Sequence, residues 1–362
     1  MCVEATMDFT DKAKKIREGE QLDIPRVEQF LKDSIPGLQG ALAVEQFPSG
    51  YSNLTYMIKV GDTELVLRRP PFGTKAKTAH DMKREYTILN ALNPVFPYCP
   101  KPLLYTEDPS VMGCPFYVME RIRGIILRRD LPNGLVFRPE DARRLCENLL
   151  DVQIELHSID YKNIGLADFG KPEGYVKRQV DGWSERYRNA RTEDAPDFET
   201  VMEWLQEKMP KETGSPCIIH NDYKFDNVVL SPENPLQIIG VLDWEMATIG
   251  DPLMDLGSSL AYWIQADDPP EFQAIRMMPT DMPGAMTRDE LVRRYAEKSG
   301  ERIDNPKNAF DFYYCFGLFR LAGIAQQIYY RYFHKQTKDE RFALLIFAVK
   351  ALEQAALRVI ER

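Results

Sequence analysis

The sequence predicts an α+β chain of two lobes, a small one with an antiparallel sheet plus helix and a large, mainly helical one. Three observations predict it. At 362 residues the chain exceeds what one hydrophobic core usually supports. Its apolar residues alternate at strand period over 41–69 and recur at helical period through most of the chain after residue 124. Finally, the polar stretch HNDYKFDN at 220–227 lies between apolar runs, and the run at 238–242 delivers Asp243 to its end.

Residues 1–22 are polar and unpatterned, which predicts a mobile N-terminal tail. Asp23 then reads as the N-cap of a helix with Pro25 in its first turn and Val27, Phe30 and Leu31 as its apolar stripe; Pro36 and Gly37 end it. Over 41–69 an apolar run ending near Phe47, the loop PSGYSN, LTYMIKV, a Gly61-Asp62 turn and ELVLRR predict a three-stranded meander. A helix is expected over about 78–90, where Met82, Tyr86 and Leu89 share a face, and further strands near 103–105 and 116–120. These elements make a first lobe over 23–119, with 120–124 as a hinge. The second lobe, 125–362, carries a helix at 141–157 with Leu145, Leu149, Val152 and Leu156 on one face. Mixed helix and loop at 172–211 and long helices at 310–332 and 340–360 follow it. No repeat or low-complexity tract interrupts them.

A net charge of -9 argues against a nucleic-acid surface, since phosphate backbones are bound by concentrated Lys and Arg. The six cysteines form no CxxC pair and no zinc spacing, so a reducing cytoplasm is the expected location. The first residues hold no apolar core of signal-peptide length, and the longest apolar run, 342–349, is too short to span a bilayer. No membrane partner is expected.

The loop at 220–227 carries the chemistry. A carboxylate and an amide spaced Asp-x-x-x-x-Asn can converge from one loop, Asp222 on the proton of an attacking hydroxyl and Asn227 on Mg²⁺, while Asp243 supplies the hard anionic oxygen that Mg²⁺ prefers. Lys224 would neutralise charge near a transferred phosphoryl group. The plainer reading is a polar turn between strands, but HxDxKxxN followed by an apolar strand ending in Asp and then by GDPxxD is a compound pattern. His220 is assigned a bracing role, and Asp255, near the start of a helix, a structural one through backbone N–H groups. Glu245 is open to a metal, a substrate group or solvent.

These residues, with SGYSNLTY, VLRRPP, KREYTIL, FYVME, RQVDGW and FGLFRLAGIAQQIYYRY, resemble the aminoglycoside phosphotransferase and choline kinase family, a branch of the protein-kinase-like fold. Within it, the resemblance is nearest to the kinase-like domain of acyl-CoA dehydrogenase family members ten and eleven, and it covers nearly the whole chain. It implies a two-lobed protein-kinase-like fold, ATP and Mg²⁺ as cofactors, and a small-molecule hydroxyl as acceptor. The loop bearing Ser49, Gly50, Ser52 and Asn53 is implied to cover the nucleotide phosphates, with one glycine where protein kinases have three. Arg68 stands where a lysine is usual and is implied to bind phosphate, with Glu85 as its partner. Met119 lies on the strand whose backbone would read the adenine edge.

The acceptor reading rests on the stretch 175–191. Lys177, Arg178, Arg186, Arg188 and Arg191 outnumber Asp181 and Glu185 there, which favours an anionic acceptor, with a solvated basic face as an equal alternative. The resemblance points the same way, to hydroxy acids or hydroxyacyl-CoA thioesters. Arg178, Trp183, Glu245 and Arg320 are the candidate acceptor-binding residues, although Trp183 also suits a core position. The rivals are an aminoglycoside, amino-alcohol or protein-serine kinase, and a nucleotide-binding pseudokinase with a regulatory role. The presence of Asp222, Asn227 and Asp243 weighs against the last.

Overall fold

Asp23 begins the first helix of the computed structural model, its carboxylate accepting the Arg26 N–H, with Pro25 in the first turn of α1 (Ile24–Ser34). The described residues are 8–47, 53–72, 81–211, 215–300, 310–337 and 339–362. Ser49, Gly50 and Ser52 therefore lie outside them. The chain divides into two compact units, residues up to 126 together with 227–247, and 127–226 together with 248–362.

In the first unit, β1 (Leu42–Gln46), β2 (Leu54–Val60) and β3 (Thr63–Arg69) form the expected meander. α2 (Met82–Leu92), β4 (Pro102–Thr106), the short α3 (Pro109–Met112) and β5 (Phe116–Glu120) follow, and the antiparallel sheet has the order β1-β2-β3-β5-β4. Strand period two sorts the side chains. Tyr56, Ile58, Leu65, Leu67, Phe116 and Val118 join Val27 and Leu31 of α1 in one core. Val66 and Arg68, register partners of Met119 and Tyr117, belong to the alternate set. A second, two-stranded ladder of β7 (Val228–Leu230) and β8 (Ile238–Val241) belongs to this unit, joined to it by the paired backbones of Ile125 and Leu230 at 2.9 and 2.8 Å.

Residues 8–22, expected as part of a mobile tail, make backbone contacts with the sheet and its neighbours. Lys14 and Gln46 exchange backbone hydrogen bonds of 2.8 Å, Asp11 donates its N–H to the Gly124 carbonyl, and the Tyr56 hydroxyl donates to the Glu20 carbonyl at 2.7 Å. A sheet edge offers unpaired N–H and C=O groups, and backbone pairing to them requires no hydrophobic pattern. The segment therefore looked unpatterned.

The second unit is largely helical: α4 (Pro139–Ser158), α5 (Tyr175–Ala190), α6 (Glu199–Glu207), α7 (Pro252–Ala261), the short α8 (Pro270–Gln273), α9 (Arg288–Ser299), α10 (Asp311–Phe333) and α11 (Leu345–Ile360). β6 (Cys217–Ile219) pairs with β9 (Thr248–Gly250). The predicted face of α4, Leu145, Leu149, Val152 and Leu156, is buried. Among the described residues no helix is long and apolar enough to cross a membrane. α7 and α10 approach so closely that a Cβ on Gly257 would lie 2.2 Å from the Tyr313 carbonyl oxygen, and one on Gly317 would lie 2.2 Å from that of Gly257. Gly257→Ala is expected to destabilise the chain by about 1–3 kcal/mol, because backbone must move to admit the methyl group. An unchanged denaturation midpoint and slope would disprove that tight crossing.

Candidate functional site

Each unit holds one set of the residues singled out in the sequence. In the first unit they gather around Arg68, which sits at 6 % exposure on β3. Its Nη1 donates to Glu85 Oε1 of α2 at 2.5 Å, its Nη2 to Asp243 Oδ1 at 2.9 Å, and Glu245 Oε2 lies 3.5 Å from Nη2. Burial works against the guanidinium charge, but Glu85 and Asp243 outweigh it and hold Arg68 well above the usual range. For Glu85 burial pushes the carboxyl up, with Arg68 opposing. Tyr117, which the sequence reading passed over, is the register partner of Arg68, and burial and then Glu85 push its phenol well up. Its place on the strand predicted near 116–120 was the available sign.

Asp243 follows β8 with φ +66°, a left-handed conformation that Asp tolerates better than most residues. The next turn, Trp244–Met246, is anchored by buried Trp244, whose Nε1–H donates to the Val241 carbonyl at 2.9 Å. The Leu242 N–H donates to the Asn227 carbonyl at 2.8 Å, prolonging the β7–β8 ladder, so Asn227 and Asp243 come to its same end. Among the described residues no group of three or more His, Cys, Asp or Glu side chains is arranged to hold a metal by itself. One amide and one carboxylate beside an excess of carboxylates over Arg68 form an oxygen donor set that suits Mg²⁺. That ion keeps waters and phosphate oxygens as its other ligands. Met119 is buried on β5, and Asn53, which precedes β2, donates through Nδ2 to Glu245 Oε2 at 2.8 Å.

In the second unit β6 delivers His220, which is fully buried. Asp255, also fully buried, accepts the backbone N–H of His220 at 3.4 Å and of Asn221 at 2.5 Å. Its Oδ2 also accepts from Gln153 Nε2 at 3.0 Å and lies 2.9 Å from His157 Nε2; the His157 Nδ1 is 2.7 Å from the Tyr295 hydroxyl. Burial raises the Asp255 carboxyl, yet the hydrogen bonds and charge of His157, with Gln153 and His220, bring it below the usual range. The Asp222 N–H donates to His220 Nδ1 at 3.2 Å, which leaves the ring proton on Nε2. Gln153, His157 and Tyr295 escaped the sequence reading. Gln153 and His157, four apart within the apolar stretch of α4, were the available sign.

The Lys224 ammonium contacts the Asp222 carboxylate, lies 3.6 Å from Asp226 and sits 4.7 Å from the Tyr262 ring centroid. Burial pulls its pKa down, but Asp222, Tyr262 and Asp226 outweigh that and hold it above the usual lysine range. A fixed cation of this kind orients the carboxylate and keeps positive charge beside it. The basic stretch of α5 is occupied locally. Arg178 donates to the carbonyls of Lys171 and Glu173, Lys177 pairs with Asp181 at 2.6 Å, and Arg188 pairs with Glu199 at 2.5 Å. Glu199 of α6, outside the counted stretch, is the carboxylate that a local count leaves out. Trp183 is buried, with the guanidinium groups of Arg186 and Arg320 at 4.9 and 5.5 Å from its ring.

Asp255 carries a pH prediction. Its folded-state pKa lies below the unfolded one, so its stabilisation is present above the unfolded value of roughly 3.9 and is lost as pH falls through the folded one. At neutral pH Asp255→Asn should cost about 1–3 kcal/mol in denaturant unfolding. The gap between variant and parent should close in strong acid, and a gap independent of pH would contradict the ionised carboxylate.

The sequence profile described as Phosphotransferase enzyme family matches residues 43–286. The chain is 32% identical over 361 residues to acyl-CoA dehydrogenase family member 11 of Rattus norvegicus, covering 98% of this chain and 45% of that protein. It thus spans less than half the length of that relative. A solved structure of a putative aminoglycoside phosphotransferase from Ralstonia eutropha superposes with a TM-score of 0.78 at 28% identity, over 94% of this chain and 99% of that one. Choline kinase of Cryptosporidium parvum superposes with a TM-score of 0.59 at 13% identity, over 94% and 96%, a likeness of fold alone. The fold is the two-lobed α+β, protein-kinase-like fold of these proteins.

Proposed function

The chain belongs to the phosphotransferase enzyme family, acting on small molecules, and from that premise we propose that it transfers the γ-phosphoryl group of ATP, with Mg²⁺, to a hydroxyl of an anionic hydroxy acid or hydroxyacyl-CoA. The observation that carries the nucleotide part is the buried Arg68, held between Glu85 and Asp243. A planar cation fixed in this way presents donors to phosphate oxygens without reorganisation.

In this reading Asp222 orients the acceptor hydroxyl and takes its proton as the O–P bond forms, and ADP leaves. Lys224 holds the Asp222 carboxylate in place. Asn227 and Asp243 would hold Mg²⁺, which when bound supplies charge neutralisation for the phosphates. His220 and Asp255 keep the loop in position through its backbone. Most of the work is positioning and charge.

The anionic acceptor is supported by the relative's name, which couples a similar chain to acyl-CoA chemistry, and by Arg320. That cation is 3 % exposed and lies near the phenols of Tyr175 and Tyr262, which burial pushes up with Arg320 among the opposing charges. A cationic acceptor, an aminoglycoside or amino alcohol, is the second reading, favoured by the description of the Ralstonia eutropha structure and by the local pairing of Lys177 and Arg188. Five described cysteines are free thiols, which supports a reducing compartment and so the cytoplasm.

ADP release with Mg-ATP is to be measured across hydroxy acids, hydroxyacyl-CoA thioesters, amino alcohols and aminoglycosides. Turnover is expected with the anionic acceptors. Turnover with cationic acceptors alone selects the second reading, and nucleotide binding without turnover selects a regulatory module. Asp222→Asn should lower kcat by about 10²–10⁴ while ATP affinity is retained, and undiminished turnover would remove Asp222 from the mechanism.

A further inference from the structure

Asn53 and Glu245, 192 residues apart in sequence, meet through a hydrogen bond of 2.8 Å from Nδ2 to Oε2. Asn53 is 3 % exposed, so this amide is not a surface group that happened to find a partner. The stretch bearing Glu245 is fixed on both sides. Before it, Asp243 takes the Arg68 guanidinium and buried Trp244 binds the Val241 carbonyl and meets the Phe96 ring edge-on, centroids 6.0 Å apart. After it, the Ala247 carbonyl accepts from Arg84 Nη2 of α2 at 3.1 Å. Glu245 itself lies 3.5 Å from Arg68. A side chain on so restrained a turn dictates where its partner sits, rather than the reverse.

From this geometry we infer that Glu245 is a tether for Asn53, and that the two are positioning residues on the nucleotide side of the reaction, neither a nucleotide ligand nor an acceptor contact. The inference rests on the phosphotransferase reading. The tether sets the point at which the chain enters β2, and with it the spacing between that entry and the Arg68 cation on neighbouring β3. The Glu245 carboxylate completes this arrangement with one oxygen that faces both Asn53 and Arg68. The amide of glutamine can supply that acceptor oxygen without the charge, so the bond and the charge are separable.

The test is a double-mutant cycle read by calorimetric binding of Mg-ADP, by steady-state kinetics, and by thermal unfolding without ligand. Asn53→Ala and Glu245→Ala should each weaken Mg-ADP binding about tenfold, with no further loss in the double variant and no change in acceptor KM. Glu245→Gln should stay near the parent. Asn53→Asp should be worse than Asn53→Ala, because it sets two carboxylates face to face. Asn53→Asp with Glu245→Gln should recover, since donor and acceptor have exchanged places. Additive losses, a Glu245→Gln variant as weak as Glu245→Ala, a shift in acceptor KM, or no coupling in thermal unfolding would overturn the tether. Coupling in unfolding with a parent chain that binds neither ADP nor ATP would instead overturn the phosphotransferase reading, and the tether's nucleotide role with it.

Discussion

A guanidinium with almost no access to water organises the first unit. Desolvating Arg68 and Glu85 is costly, and such pairs add little net stability over an apolar replacement. What the arrangement provides is direction. The planar fork of arginine addresses Glu85 with one amino group and Asp243 with the other, so α2, β3 and the end of β8 are referred to one rigid group. The compact ammonium of lysine has no such fork, which gives the departure from the usual lysine a physical meaning.

The second unit solves a different problem with a carboxylate. Asp255 gathers two backbone N–H groups from the loop after β6, the amide of Gln153 and the imidazole of His157, and His157 in turn meets Tyr295 on α9. Three helices thereby hold one short loop. Because the donors surround a fully buried anion, the loop that bears Asp222 and Lys224 is braced from beneath its backbone, and those two side chains are left to each other.

What could be read in the sequence was whatever had a period or a compound spacing. The cap at Asp23, the meander of β1 to β3, the face of α4 and the pairing of Arg68 with Glu85 all follow from local pattern or from family likeness. The edge pairing of Lys14 with Gln46 did not, since it is made by backbone atoms that every residue carries. Nor did the grouping of 227–247 with the first unit, which depends on contacts such as Ile125 to Leu230 between distant segments. The charge of α5 was legible as composition, but the pairing of Arg188 with Glu199 of α6 required three dimensions. Tyr117 and His157 act through the residue they touch, and a reading built on motifs sees only the residue touched.

Asp243 joins two demands at one position, a left-handed backbone and a negative side chain. Asn and Gly meet the first demand and fail the second, so exchange to either removes the charge at little conformational cost. The turn alone would thus admit an uncharged residue, but the nearly buried Arg68 would then lose its ion pair with Asp243 at Nη2, so the charge is asked for by the cation and not by the backbone.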